Sequence, residues 1–130
     1  MLEGACHCGQ VRWTFDSEPE LATACNCTVC RRYGVLWIYG HDGVDVHLSG
    51  QTREYVRADG DGHLGFHFCP NCGCVAYWRA HEVKDGRRRA GVNIRMSEPE
   101  RVADIPIEHL DGLKTWDDVR DGKTVADYWF

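Results

Sequence analysis

Several features that define other protein classes are missing from this 130-residue sequence. It has no apolar run of eighteen or more residues, so no transmembrane helix and no membrane association are expected. Residues 1–6 carry neither a basic nor an apolar segment, so a secretory signal is not expected. Internal repeats, low-complexity tracts and linkers are also absent. The sequence therefore predicts one domain over residues 1–130, located in the cytoplasm.

Positive charge is scarce as well. Fifteen Lys and Arg stand against twenty Asp and Glu, which gives a formal net charge of −5. Nucleic-acid binding depends on cationic contacts to phosphates, so a nucleic-acid partner is not expected. The one basic run, Arg87–Arg89, follows Asp85-Gly86 and is interpreted as a solvated hairpin turn.

Helical patterns are few, and alternation of apolar with polar residues dominates. One helical turn is predicted over Thr28–Tyr33 and a short capped helix over Thr115–Val119. Gly-containing turns are predicted at Asp59–Gly62 and Asp85-Gly86. Strands are predicted over residues 10–16, 35–39, 44–48, 52–57, 64–68, 75–79 and 89–94. This pattern favours a mainly β domain.

Cysteine, in contrast, is abundant, with eight residues in three groups. The groups are Cys6 and Cys8; Cys25, Cys27 and Cys30; and Cys69, Cys72 and Cys74. Disulfides persist poorly in the cytosol, so metal binding or redox chemistry is the better explanation of this content.

The segment Cys69-Pro70-Asn71-Cys72-Gly73 has the pattern of a zinc knuckle. Two thiolates three residues apart can hold one tetrahedral ion, and Gly73 tolerates the positive φ that such a turn needs. The Cys6 and Cys8 side chains would share one face of an extended strand and supply the other two ligands. The spacing predicts a closed, structural four-cysteine zinc site.

Cys25, Cys27 and Cys30 remain as a compact triplet. Three thiolates can occupy three corners of a tetrahedron and leave the fourth position open, which is typical of a catalytic zinc rather than a structural one. Three alternatives stay open at this point. They are a disulfide framework, an iron–sulfur cluster, and a redox couple at Cys69 and Cys72.

Three motifs in this order resemble the family of glutathione-dependent formaldehyde-activating enzymes, which also includes centromere protein V. They are Cys6-His7-Cys8-Gly9, Cys25-Asn26-Cys27-Thr28-Val29-Cys30-Arg31 and Phe68-Cys69-Pro70-Asn71-Cys72-Gly73. The resemblance spans residues 4 to about 80, with a weaker similarity over Ile107–Trp116.

The resemblance implies a β-tent fold and two Zn²⁺ ions. It assigns a structural site to Cys6, Cys8, Cys69 and Cys72, and a site linked to activity to Cys25, Cys27 and Cys30. Two positions depart from the family pattern. Asn26 stands where a histidine is common, and Cys74 stands where a small hydroxyl residue is common. Cys74 is expected either to close the second site or to be a free thiol.

These features predict a zinc-dependent carbon–sulfur lyase or synthase. Its substrate would be an adduct of a small thiol, glutathione by resemblance, with an electrophile such as formaldehyde. Arg31 and Tyr33 are candidates for binding a substrate carboxylate, and His63 and His67 for proton transfer. The alternative is a non-enzymatic zinc-binding β module that presents a protein-interaction surface.

Overall fold

A computed structural model describes the whole chain, Met1–Phe130, and it is mainly β. The strands are β1 (Leu2–Ala5), β2 (Arg12–Phe15), β3 (Ala22–Cys25), β4 (Trp37–His41), β5 (Val46–Ser49), β6 (Arg53–Tyr55), β7 (Leu64–Phe68), β8 (Val75–Ala80), β9 (Arg89–Asn93), β10 (Pro106–Leu110) and β11 (Asp118–Thr124). The helices are α1 (Cys30–Tyr33), α2 (Pro99–Val102) and α3 (Val125–Trp129), with a 3₁₀ turn at Ile94–Met96. The predicted fold class, mainly β with short strands and few short helices, is confirmed.

The smaller of two sheets is antiparallel, in the order β1-β2-β5. Alternation along β2 directs Trp13 and Phe15 into the core, while Arg12 faces solvent. Trp13 pairs with Gly4 on one side and Leu48 on the other. A Cβ atom on Gly4 would come within 2.4 Å of the Trp13 ring, so only glycine fits there.

The larger sheet has the order β11-β10-β3-β4-β9-β8-β7-β6. All its pairings are antiparallel except that of β3 with β10. This parallel pairing places Leu110, the last residue of β10, beside Cys25. Strand β10 therefore delivers the loop that follows it to the triplet.

The two sheets enclose one main hydrophobic core. Trp13 and Val46 from the small sheet join Ile38, Val92 and Ile107 from the large one. A second, smaller cluster contains two cysteines of the triplet, packed with large apolar side chains: Cys27, Cys30, Val35, Trp37, Phe66 and Trp78. The triplet is thus set among large aromatic side chains rather than on an open loop.

The prediction of a helix over Thr115–Val119 is wrong. Residues 112–115 form a turn, Trp116 has a φ of 60°, and β11 begins at Asp118. A left-handed residue cannot continue a right-handed helix, so the polar residues that suggested a cap stabilise a loop instead. The turn predicted over Thr28–Tyr33 is present as α1. None of the helices has the length and apolarity needed to cross a lipid bilayer.

Candidate metal centres

Cys6, Cys8, Cys69 and Cys72 form one cluster, with all four sulfurs within 4.8 Å of one another. The Cys8 sulfur lies 3.6 Å from the sulfurs of both Cys6 and Cys69. Cys6 and Cys8 lie in the turn after β1, so the prediction that they share an extended strand is wrong. The predicted grouping of these two cysteines with Cys69 and Cys72 is unaffected. The cluster joins the start of the chain to the segment between β7 and β8.

Backbone amides surround this cluster. The Val11 amide donates to the Cys6 sulfur at 3.2 Å. Amides of Cys74 and Cys8 donate to Cys72 and lower the pKa of its thiol to about 5. Gly9 and Gly73 adopt φ values of 81° and 80°, the left-handed conformation that lets each turn direct its amides inward. At Cys72 the fold thus favours thiolate, the form that binds metal.

Cys74 lies beside the first cluster but is not part of it. A hydrogen bond from His7 lowers the pKa of the Cys74 thiol, but burial and the neighbouring Cys72 sulfur outweigh it and raise the pKa. Cys74 also lines a cavity separate from the one at the triplet. The triplet therefore remains a group of three.

Cys25, Cys27 and Cys30 form the second cluster, with sulfurs again within 4.8 Å of one another. Cys25 ends β3 and Cys30 begins α1, so a single short turn brings the three together. Cys27 and Cys30 are buried and Cys25 is half-buried. A hydrogen bond from Cys30 lowers the pKa of the Cys25 thiol to about 6, while that bond and burial raise the pKa of Cys30.

Every sulfur of the triplet accepts a hydrogen bond. The Cys27 amide donates to Cys25 at 3.5 Å, and the Cys30 amide to Cys27 at 3.4 Å. The indole Nε1 of Trp37 donates to Cys30 at 3.3 Å. These donors offset the negative charge that three clustered thiolates would carry.

Arg57 brings a full positive charge to the same cluster. Its Nη1 lies 3.7 Å from the Cys27 sulfur. Asp59 Oδ1 accepts from the Arg57 Nε at 2.7 Å, and Thr28 Oγ1 accepts from its Nη2 at 2.8 Å. Thr28 in turn donates to Asp59. Neither Arg57 nor Trp37 was identified from the sequence, because only the folded chain brings them to the cysteines.

A cavity of about 580 Å³ opens beside the triplet. All three cysteines line it, and hydrophobic residues make up half of its lining, including Trp37, Phe66, Trp78, Leu110 and Trp116. Its charged lining residues are Arg57, Lys84, Arg87, Arg89, Asp61, Glu82, Glu108 and Asp118. The volume is in the range of sites for small molecules.

The candidate substrate-binding residues lie elsewhere. Arg31 lines neither cavity, and its Nη1 donates to the Asn26 carbonyl at 3.5 Å. Tyr33 lines the second cavity with Cys74. The cations on the wall beside the triplet are instead Arg57, Lys84, Arg87 and Arg89.

The two candidate histidines have different surroundings. His63 lines the cavity, and Asp61 Oδ1 lies at its Nδ1. His67 is buried and stacks on Tyr77, with Thr52 at its Nδ1 and Glu54 Oε2 3.1 Å from its Nε2. Burial lowers the pKa of His67. Of the two, only His63 faces the space beside the triplet.

Both cysteine clusters could hold a metal ion. Four thiols around one point suit an ion enclosed by protein alone. Three thiols on a cavity wall, each with hydrogen-bond donors, leave room for a further ligand from the cavity. The donor sets fit a thiophilic metal in both places.

Comparison with known proteins agrees with this arrangement. The sequence model described as "Glutathione-dependent formaldehyde-activating enzyme" matches residues 1–102, which contain both clusters. A curated Halomonas elongata protein with the name "Putative glutathione-dependent formaldehyde-activating enzyme" is 34% identical over 88 residues. That match covers 60% of this chain and 55% of the relative, so the chain spans little more than half of that protein.

A crystal structure of a Rhodobacter sphaeroides protein has the same fold, with a TM-score of 0.61 at 22% identity. The match covers 82% of this chain and 99% of that one. The relation to centromere protein V finds no support in these similarities. Because the family model matches residues 1–102 of 130, the chain belongs to the family of glutathione-dependent formaldehyde-activating enzymes.

Proposed function

We propose that the protein is a zinc-dependent carbon–sulfur lyase or synthase that acts on an adduct between glutathione, or a similar thiol, and a small electrophile such as formaldehyde. The observation that carries this proposal is the position of the three-cysteine cluster on the wall of the 580 Å³ cavity. A purely structural metal would need no such access.

Two Zn²⁺ ions per chain are proposed, one held by Cys6, Cys8, Cys69 and Cys72 and one by Cys25, Cys27 and Cys30. The second ion would supply positive charge that stabilises a substrate thiolate in the cavity. Arg57, 3.7 Å from the Cys27 sulfur, adds a fixed cation on the same side. Together with the Trp37 indole, it limits the charge that builds up when a fourth sulfur approaches.

In the synthetic direction, the substrate sulfur bonds to the aldehyde carbon, and the carbonyl π electrons move to oxygen. That oxygen takes up the proton that the thiol loses. Thiol and aldehyde therefore combine into the hydroxymethyl thioether in an addition without a leaving group. His63 is the proposed proton carrier: with Nδ1 directed at Asp61, its Nε2 is free to accept and return the proton. Cleavage is the same sequence reversed.

The cavity wall offers charges of both signs to a peptide thiol. Among Lys and Arg, the residues that form ion pairs are Arg57, Arg79, Arg101 and Arg120. None of these pairs involves Lys84, Arg87 or Arg89, so these three cations are available for substrate carboxylates. Glu82 and Asp118 can accept from an ammonium group. A tripeptide thiol with two carboxylates and one ammonium matches this mixture.

Calorimetry with glutathione and its serine analogue, which carries oxygen in place of sulfur, tests the proposal. The zinc-loaded protein should bind glutathione at least about tenfold more tightly, because the analogue lacks a thiolate. Equal affinities, or no binding of either, would contradict a thiol site and favour the interaction-module alternative. Arg87→Gln should weaken glutathione binding, whereas Arg88→Gln, outside the cavity, should not. Carbon-13 NMR with labelled formaldehyde detects the adduct directly.

A further inference from the structure

The loop between β10 and β11, residues 111–117, forms part of the cavity wall. It lies beyond residues 1–102, the segment that the family model matches. Trp116, near its end, lines the cavity and is 57% exposed, as expected of a residue at the mouth. Family membership therefore does not account for this part of the wall.

The loop is docked on the triplet. A Cβ atom on Gly112 would lie 2.6 Å from the Cys27 Cβ and 3.0 Å from the Cys25 sulfur, so only glycine allows this approach. Asn26, between those cysteines, donates from Nδ2 to Asp111 Oδ1 at 3.3 Å and accepts from the Leu113 amide at 3.1 Å. The loop is thereby fastened to the turn that carries the sulfurs.

The same loop holds Trp116 in an unfavourable backbone conformation. Its φ of 60° lies in the left-handed region, which a bulky aromatic residue rarely adopts. The Trp116 amide donates to the Asp111 carbonyl at 2.8 Å, and Thr115 donates to the Asp111 carboxylate. Such conformations persist where the surroundings enforce them, and they concentrate at functional sites.

We infer that Trp116 selects the electrophile half of the substrate, and that this half carries a flat apolar group rather than being formaldehyde alone. Trp37, Phe66, Trp78 and Leu110 line the same cavity. A one-carbon hydroxymethyl group would leave the exposed Trp116 indole without a contact, whereas an aryl group beside the sulfur would contact it. This inference rests on the proposed function, because it assumes a thiol adduct bound at the triplet.

The test compares a benzyl with a methyl substituent on the sulfur of glutathione. The probes are S-benzylglutathione and S-methylglutathione. Binding is measured by calorimetry, without turnover. Wild type should bind S-benzylglutathione at least about tenfold more tightly. In Trp116→Ala the ratio should fall below about threefold, while Leu113→Ala, a control in the same loop outside the cavity, should keep it.

Trp116→Gly provides an independent check, because glycine accepts the positive φ without strain. It should be at least as stable as wild type and still lose the benzyl preference. Failure to bind either conjugate, by a protein that binds glutathione, would overturn the inference, whereas failure to bind glutathione itself would contradict the proposed function. Equal binding of both glutathione conjugates, or a benzyl preference that survives in Trp116→Ala and Trp116→Gly, overturns the inference while leaving the glutathione proposal standing.

Discussion

The two cysteine clusters differ in what encloses them. The first, Cys6, Cys8, Cys69 and Cys72, brings together two distant turns and has a full set of four sulfurs. The second comes from one turn, has three sulfurs, and faces a cavity. Four ligands from distant segments hold a fold together, whereas three from one segment add little to it and leave a position for chemistry. Sequence separation of the ligands thus distinguishes the two proposed roles.

The largest expected effect is that of Cys72→Ser. Losing one of four ligands should release the metal of the first cluster and with it a contribution to folding on the order of 10 kcal/mol. We expect an insoluble protein or one without a cooperative thermal transition. A soluble Cys72→Ser variant with wild-type melting temperature and full zinc content would show that the first cluster is not a structural site.

Cys27→Ser should show that the two clusters contribute differently to folding and to binding. Cys27 is buried in the second cluster, so its loss should reduce zinc from two ions per chain to one and abolish thiol-dependent binding of glutathione. The fold should survive with a loss of about 1–3 kcal/mol, a usual cost for a buried substitution. Metal analysis and thermal unfolding measure the two effects. If Cys27→Ser unfolds like Cys72→Ser, the distinction between the clusters is lost.

Arg57→Gln should have a smaller effect, confined to the second cluster. Removing the cation 3.7 Å from the Cys27 sulfur should weaken metal binding there by about tenfold. This is the lower end of the loss in metal affinity that follows when a hydrogen-bond partner of a metal ligand is removed. Competition with a chelator should show faster loss of one of the two ions. Arg53→Gln, on the exposed strand β6, is the matched control. Equal zinc loss in both variants would rule out a specific role for Arg57.

The smallest effect is expected for Cys74→Ser. Cys74 belongs to neither group of sulfurs, so both zinc ions should be retained and stability should change by less than about 1 kcal/mol. Zinc content and melting temperature suffice as measurements. Loss of one ion with an intact fold would make Cys74 a ligand and would favour two closed structural sites.

Much of the sheet structure was predictable because buried strands leave an alternating pattern. Leu64–Phe68 was predicted with the boundaries that β7 has. Strand β11 was missed because all but its last residue are exposed and no apolar face marks it. It is a strand because it pairs with β10, which sequence alone does not reveal. The Thr115–Val119 prediction failed where side-chain hydrogen bonds to Asp111 favoured a loop.

By itself, the sequence determined the fold class and the local cysteine groups, the two pairs and the triplet, because thiol spacing within a turn is a local property. Only the tertiary structure decided what surrounds them. The parallel pairing of β3 with β10 brings the loop of Gly112 and Trp116 onto the triplet, and the turn after β6 brings Arg57. Residues 30 or more positions apart in the sequence are in contact at the triplet. Such contacts form only when the sheet assembles, so a local sequence pattern does not predict them.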